Sequence, residues 1–272
     1  MCQNLGAGKC TERVHAAMAG MAQSSNYTRT NVRLFPPGAY PTFENGRGAQ
    51  YLHEYVPLHM PQVEVGIAQA YRSLRSSFSA SGPVRVLDVG SGPATVALVF
   101  DRLGAQGLVN GKFVVSPVET SSEFCAMIRH AATALWPGTV ELKDPKQMNI
   151  EQYMGMAHEP YDWIVMANVL SPFAAGRTVE DCCGKIEWLI NANKSASGYP
   201  PLTIIEGSCS RYINPYEHIQ AIARRYNVVC EIGLGYSRPL HRPDILNCGF
   251  YRSPMGYCRP RVVMITVRKS RP

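Results

Sequence analysis

From Val84 onward the chain alternates between two kinds of apolar pattern. Short runs rich in β-branched residues fall at Val84–Val89, Lys112–Val118, Val140–Leu142, Trp163–Ala167, Leu202–Glu206, Asn227–Gly233 and Val262–Arg268. These runs have the length of strands. Between them lie stretches whose apolar residues return every three or four positions, at Thr95–Leu103, Ser121–Trp136, Arg177–Ala192 and Pro215–Tyr226. The last of these starts well, with Asn214 as N-cap and Pro215 in the first turn. Such alternation predicts a mostly parallel sheet covered by helices on both faces. The final two strands have no helical pattern between them, and a parallel return needs about a dozen or more residues and usually a helix. Val262–Arg268 is therefore expected to run antiparallel, beside Leu202–Glu206. The predicted class is α/β, a Rossmann-like seven-stranded sheet with its last strand antiparallel.

Ahead of that region the pattern changes. Residues 1–50 show little periodicity and contain Pro36, Pro37, Gly38, Pro41, Gly46 and Gly48, which read as an irregular arm with a short helix near Val14–Met21. After Pro61, apolar residues at Val63, Ile67, Tyr71, Leu74 and Phe78 share one helical face, until SASGP breaks the run. The expected organisation is an arm over 1–50, a helical extension over 51–82, and the α/β domain over 83–272.

The sharpest local signal is VRVLDVGSGPATVAL. A strand ends at Asp88, Gly90 and Gly92 make a tight turn, and a helix follows. Glycines here let backbone approach a ligand that a Cβ would exclude. A dinucleotide loop needs free N–H groups at the helix start for pyrophosphate, but Pro93 removes one donor and Ala94 and Thr95 stand where further glycine is wanted. The Walker GK[ST] is absent, and GAGKC near the N-terminus has the wrong spacing and no strand before it. S-adenosylmethionine presents an ammonium, a carboxylate and a sulfonium instead of phosphate. An acid just before the glycines, Asp88, suits the ammonium, and Ser91 belongs to the same loop. The next strand ends in Glu119, followed by Thr120; an acid there can accept both ribose hydroxyls, as in other nucleotide-binding α/β folds. Glu119 lies further along than the usual spacing of about 20 residues, and the turn LGAQGLVNGK accounts for the excess.

These residues resemble the class I S-adenosylmethionine-dependent methyltransferase superfamily, whose first motif has the form [DE]xGxGxG; here it reads DVGSGPA, with Ala94 in the third position. The resemblance implies methyl transfer with S-adenosylmethionine as cofactor and S-adenosylhomocysteine as product. It also places Asp144, in VELKDPKQM, like the acid that meets the adenine amino group, and turns the loop after YDWIVMANVLSPF, with Asn168, towards the transferred methyl. NVLSPF departs from the [DN]PP[FY] of enzymes that methylate exocyclic base nitrogens. A looser resemblance runs from Tyr51 to Tyr226, to the mitochondrial small-ribosomal-subunit methyltransferase-like family, through YLHEYVPLHMPQVEVGIAQAYRSL and LTIIEGSCSRYINPYEHIQAIARRY. That family's cysteine-rich C-terminal region is not reproduced by Cys230, Cys248 and Cys258.

The acceptor side is written less clearly. The stretch 234–261, LGYSRPLHRPDILNCGFYRSPMGYCRPR, carries Arg238, His241, Arg242, Arg252, Arg259 and Arg261 among Tyr236, Phe250, Tyr251 and Tyr257. Arginines neutralise phosphates and aromatic rings stack on unpaired bases. A loop of this length is often a lid or binding loop; the plainer alternative is a proline-rich surface loop with solvated arginines. Because the sulfonium is already activated, alignment of the acceptor can suffice. A base is needed only where the acceptor loses a proton, and Asn168, Glu206 and His241 head the candidates for contact with the reacting groups, with His218 and Tyr212 behind them.

Three readings stand at this level: an RNA methyltransferase, contacting RNA through Arg238, Arg242, Arg252 and Arg259; a small-molecule methyltransferase whose arm and N-terminal helix close over a pocket; and a non-catalytic ribosome-binding or assembly protein that keeps the fold. The net charge of +7 favours a polyanionic partner, though many basic proteins have none. Nine cysteines without a CxxC spacing read as reduced, mostly buried thiols, with no metal expected. The chain has no apolar stretch of about 18 residues and no secretory pattern at its start, so no membrane association and a cytoplasmic or organelle-matrix location are expected.

Overall fold

The computed structural model describes residues 47–54, 56–78, 82–135, 138–156, 159–174, 177–195 and 198–206, the strands 229–233 and 262–266, and the single positions Gly20, Phe43, His218 and Ala221. Two helices come first, α1 (Arg47–Glu54) and α2 (Val56–Leu74). Then follow β1 (Val84–Val89), α3 (Thr95–Ala105), β2 (Phe113–Glu119), α4 (Ser122–Ala134), β3 (Val140–Leu142), β4 (Lys146–Gln147) and α5 (Ile150–Met154). The order continues with β5 (Trp163–Ala167), α6 (Leu170–Ala174), α7 (Val179–Ala192), β6 (Leu202–Ile205), β7 (Val229–Gly233) and β8 (Val262–Thr266).

Side-chain alternation along the strands explains the layering. In β1, Val84 and Val86 face one core, and Leu87 and Val89 the other. In β5 the same split separates Trp163 and Val165 from Ile164 and Met166. This two-residue period lets each strand bury both faces. The first core is covered by α2, α3 and α4, the second by α5, α6 and α7. Phe100 stacks on Phe113 with centroids 4.3 Å apart, and the Trp163 indole N–H donates to Thr203 Oγ1 at 2.9 Å. Such pairing lets a large polar-tipped ring stay buried.

The sheet order is β3-β2-β1-β5-β6, with β4 also on β2, and every one of these pairings is parallel. This is a doubly wound, Rossmann-like order, in which the chain crosses from β3 and β4 back to the far side of β1. The switch lies between β1 and β5, where open α/β sheets bind ligands at their carboxyl edges. The expected seven strands in one sheet with an antiparallel last strand are not found in this sheet. Six strands form the sheet, and β8 pairs antiparallel with β7 in a two-stranded sheet of its own. β8 nonetheless runs alongside β6.

The helical extension begins earlier than the sequence pattern suggests. Its buried stripe, Val56, Met60, Val63, Ile67, Ala70 and Leu74, starts before Pro61. Pro61 removes one intrahelical N–H, but burial of that stripe holds the helix through it. Glu64 of α2 meets Arg102 of α3 at 3.2 Å, their side chains 7% and 3% exposed. At its other end, Tyr71 Oη donates to the Asn110 carbonyl at 2.8 Å, just before β2 begins. So α2 ends at the amino edge of the sheet, and its first turn lies towards the carboxyl edge. Of the expected helix 215–226, only His218 and Ala221 are described, both helical.

Candidate functional site

The site starts from a turn that the backbone can make in few ways. Gly90 and Gly92 have φ of +65° and +53°, the left-handed region open to glycine at little cost. Ala94 also sits there, at φ 63° and ψ 30°, immediately before α3. This is the third glycine position of the motif, and alanine holds it at about 1–2 kcal/mol. A Cβ on Gly92 would meet nothing within 4 Å, so the loop leaves open space above that residue.

The loop is fastened to the end of β2. Gly90 N–H donates to the Val118 carbonyl at 2.9 Å, and Gly92 N–H to Glu119 Oε2 at 2.9 Å. Glu119 Oε1 accepts the N–H groups of Thr120 (2.8 Å) and Ser121 (2.9 Å). Burial pushes the Glu119 carboxyl upward, and these N–H groups oppose that. Both oxygens are engaged: Oε1 accepts the Thr120 and Ser121 N–H groups and the Thr120 hydroxyl (3.3 Å), and of the two acceptor positions on Oε2 one remains open for a ribose hydroxyl.

Asp88 has a different environment. It is 1% exposed, and neither carboxylate oxygen has a hydrogen-bond partner among the described residues. The Ser91 hydroxyl, close by, donates to the Asp88 backbone carbonyl at 2.9 Å. Burial foremost, opposed by the nearby Ser91 hydroxyl and with the Glu119 charge adding, pushes the Asp88 carboxyl up to about 7; the hydroxyl itself points to the backbone carbonyl and not to the carboxylate. A buried acid without a partner is costly. A cationic ligand would remove that cost.

On the far side of β1, the exit of β5 completes the edge. Asn168 lies at φ 56° and donates its N–H to the Ile205 carbonyl at 2.7 Å. Glu206, buried after β6, accepts the Leu170 N–H at 3.1 Å and so holds the start of α6. The expected catalytic candidate Glu206 thus has a visible structural task.

The structure brings Asp88, Gly90, Ser91, Gly92, Glu119 and Thr120 together, and Asn168 follows β5, the strand beside β1. Asp144 follows β3, but its carboxylate is mostly exposed and pairs with Arg129 Nε at 2.9 Å. His241, Tyr212, Arg238, Arg242, Arg252 and Arg259, with the aromatics among those arginines, lie outside the described residues. His218 is buried with neither ring nitrogen partnered among the described residues. Cys125, Cys182 and Cys183 are buried and in no disulfide, and burial pushes Cys182 up to about 11.

Sequence reasoning missed the neighbours of this edge that come from the N-terminus. Ser121, N-cap of α4, accepts the Phe124 N–H at 3.3 Å and donates its hydroxyl to the Phe43 carbonyl at 2.6 Å. The Phe43 ring packs against Tyr51 and Phe124, centroids 5.2 and 4.8 Å away. Tyr51 Oη lies 2.7 Å from His59 Nδ1. Nothing in the spacing of these residues announces such contacts.

The fold and the cradle define a doubly wound α/β protein with an open glycine turn at the carboxyl edge of β1 and β2. No protein-family model and no curated protein sequence matches the chain. Solved structures with a similar course include magnesium protoporphyrin IX methyltransferase of Synechocystis PCC 6803 with bound S-adenosylmethionine, at 14% identity and TM-score 0.44, covering 79% of this chain and 85% of that one. A plantazolicin methyltransferase, solved with a monoazolic desmethylPZN analog and S-adenosylhomocysteine, gives 14% identity and TM-score 0.49, covering 96% and 99%. WbdD, solved with the kinase inhibitor LY294002, gives 12% identity and TM-score 0.49, and the 85% of this chain that matches spans only 45% of its length. None of the three reaches a TM-score of 0.5, so the chemistry assigned to this chain rests on its own residues.

Proposed function

We propose that this chain is a class I S-adenosylmethionine-dependent methyltransferase. The observation that carries this is the Asp88 carboxylate, buried and unpartnered beside an open glycine cradle. A donor with an ammonium on its amino-acid end would supply the missing cation. Glu119 would take a ribose hydroxyl through Oε2, with Ser91, Gly92 and Thr120 lining the approach and Asp144 reaching the adenine side. Bound there, the donor would supply an activated methyl. The chain's own share is to orient it: the Gly90–Gly92 loop and the Asn168 turn would fix the two sides of the gap an acceptor must enter. Asn168 is the residue nearest in sequence to that gap; His241 and Glu206 are further candidates, Glu206 acting through the start of α6.

For the acceptor, the described residues favour a small molecule. Phe43 and α1 dock on the first turn of α4, next to Glu119, through Ser121 and through the Gly48 N–H to Glu123 Oε2 bond at 2.8 Å. An N-terminal wall at this edge suits an enclosed acceptor better than a polymer. The RNA reading rests on Arg238, Arg242, Arg252 and Arg259. If each meets a phosphate of single-stranded RNA, log affinity falls with log salt by about 0.7 per contact. A non-catalytic assembly protein would bind the donor and transfer nothing. We also infer that β8 extends the sheet antiparallel beside β6, supported by its course alongside that strand. No described helix is long and apolar enough to cross a membrane; a cytoplasmic location is part of the proposal.

Calorimetry with S-adenosylhomocysteine tests the donor site directly. Binding to the full chain that is lost in Asp88→Ala supports the assignment. Unchanged affinity in that variant would overturn it.

A further inference from the structure

We propose that Ser121 is a positioning residue that couples filling of the donor site to the seating of Phe43 and α1. This rests on the donor reading above. The links are continuous: Gly92 N–H to Glu119 Oε2 at 2.9 Å, Ser121 N–H to Glu119 Oε1 at 2.9 Å, and Ser121 Oγ to the Phe43 carbonyl at 2.6 Å. One buried serine therefore holds the ribose-side acid with its backbone and the N-terminal wall with its side chain. The hydroxyl also accepts the Phe124 N–H, so its orientation is fixed from both directions. The wall has a second fastening two residues on, where Glu123 Oε2 takes the Gly48 N–H in the first turn of α1 at 2.8 Å. Phe124, in the same turn, packs under both Phe43 and Tyr51.

The consequence is an order of events. A ligand that holds Glu119 and its neighbouring N–H groups in one arrangement also holds the Ser121 hydroxyl where Phe43 needs it. The acceptor-side wall is then best formed around a filled donor site. Coupling of this kind is reciprocal: what the ligand does for the wall, the wall does for the ligand, by the same factor.

The experiment uses the full chain and S-adenosylhomocysteine, with hydrogen exchange read on peptides that contain Phe43 and α1, and affinity read by calorimetry. In the wild type the ligand should slow exchange in those peptides. Ser121→Ala cuts the hydroxyl link, whereas Glu123→Ala cuts the Gly48 link and leaves the hydrogen bonds to Glu119 in place. Both should bind the ligand about fivefold more weakly, the low end of ordinary coupling factors, and Glu123→Gln, which keeps an acceptor oxygen, should recover most of that loss. Should Ser121→Ala fail to fold because α4 loses its N-cap, Ser121→Gly, which removes the same hydroxyl at a milder cost to the cap, decides in its place. Ligand-independent exchange in the wild type would overturn the coupling. So would variants that release α1 yet bind the ligand as tightly as before. A wild type that binds no ligand at all would instead remove the donor reading and the coupling with it.

Discussion

A Cβ placed on Gly90 would lie 2.3 Å from Val169 Cγ2. The two residues belong to the exits of adjacent parallel strands, so the glycine turn after β1 and the Asn168 turn after β5 are packed against each other. Gly90 is thus held by its φ and by its neighbour, whereas Gly92 is held by its φ alone. Gly90→Ala should lose about 1–2 kcal/mol to the left-handed backbone and about 1–3 kcal/mol more to overpacking. Gly92→Ala should show only the first loss, while its methyl enters the cradle and weakens ligand binding. Val169→Ala in the Gly90→Ala background should return the overpacking share. Urea midpoints for the four proteins test this, and equal losses at Gly90 and Gly92 would contradict it.

The helical extension should be part of the same folding unit as the sheet. Glu64 and Arg102 are buried together, and removing the carboxylate takes an opposite charge away from a buried guanidinium. Glu64→Ala should therefore cost about 3–5 kcal/mol. Replacing both by apolar residues of similar volume should cost far less, because a buried pair often gains little over good packing. A double variant as unstable as the single one would show that the pair contributes more than charge balance.

The period-two strands and glycine loop were legible because each is a local pattern: β1, β2, β5 and the Asp88–Gly92 turn stand where the residues place them. So was the stripe of α2, apart from its start, where Pro57 and Pro61 hid the seven helical residues before Val63. Short elements were not legible. The strand β4 has two residues and the helices α5 and α6 five each, too few to show a period. At the site, Asp88, Glu119 and Asn168 could be found because strand ends are recognisable. Ser121–Phe43 and Tyr51–His59 could not, since contacts across long stretches of chain depend on packing and leave no spacing to read.

The Tyr51–His59 pair gives a pH prediction. Burial pushes His59 down to about 4 from the ordinary 6.5. The unfolded chain then takes up a proton between those values that the folded protein does not. Unfolding free energy should rise with pH across the window from about 4 to 6.5 on this account, and stability should be lost as pH falls through it. His59→Gln keeps a polar partner for the Tyr51 hydroxyl and removes the titration. Thermal midpoints of wild type and variant should lie close together towards pH 7, where His59 is neutral in both states, and separate towards pH 4 as the wild type falls. Parallel curves would mean that His59 titrates normally in the folded state.

Asp88 pushes the other way in nearly the same window, and its sign separates the empty from the filled site. Its carboxyl is raised from 3.8 to about 7, so its contribution to stability is fully present below pH 3.8 and is lost as pH rises through 7. In the empty protein it should therefore offset part of the His59 slope. A ligand ammonium meets its partner only in the ionised form. Affinity for S-adenosylhomocysteine should rise with pH by up to about tenfold per unit below 7, and level off above it. Asp88→Asn should bind weakly and lose that slope. Glu119, also raised by burial, is the competing source of any pH dependence. Glu119→Gln should weaken binding while the slope remains. A slope that survives in Asp88→Asn and vanishes in Glu119→Gln would move the cation-binding role from the first acid to the second.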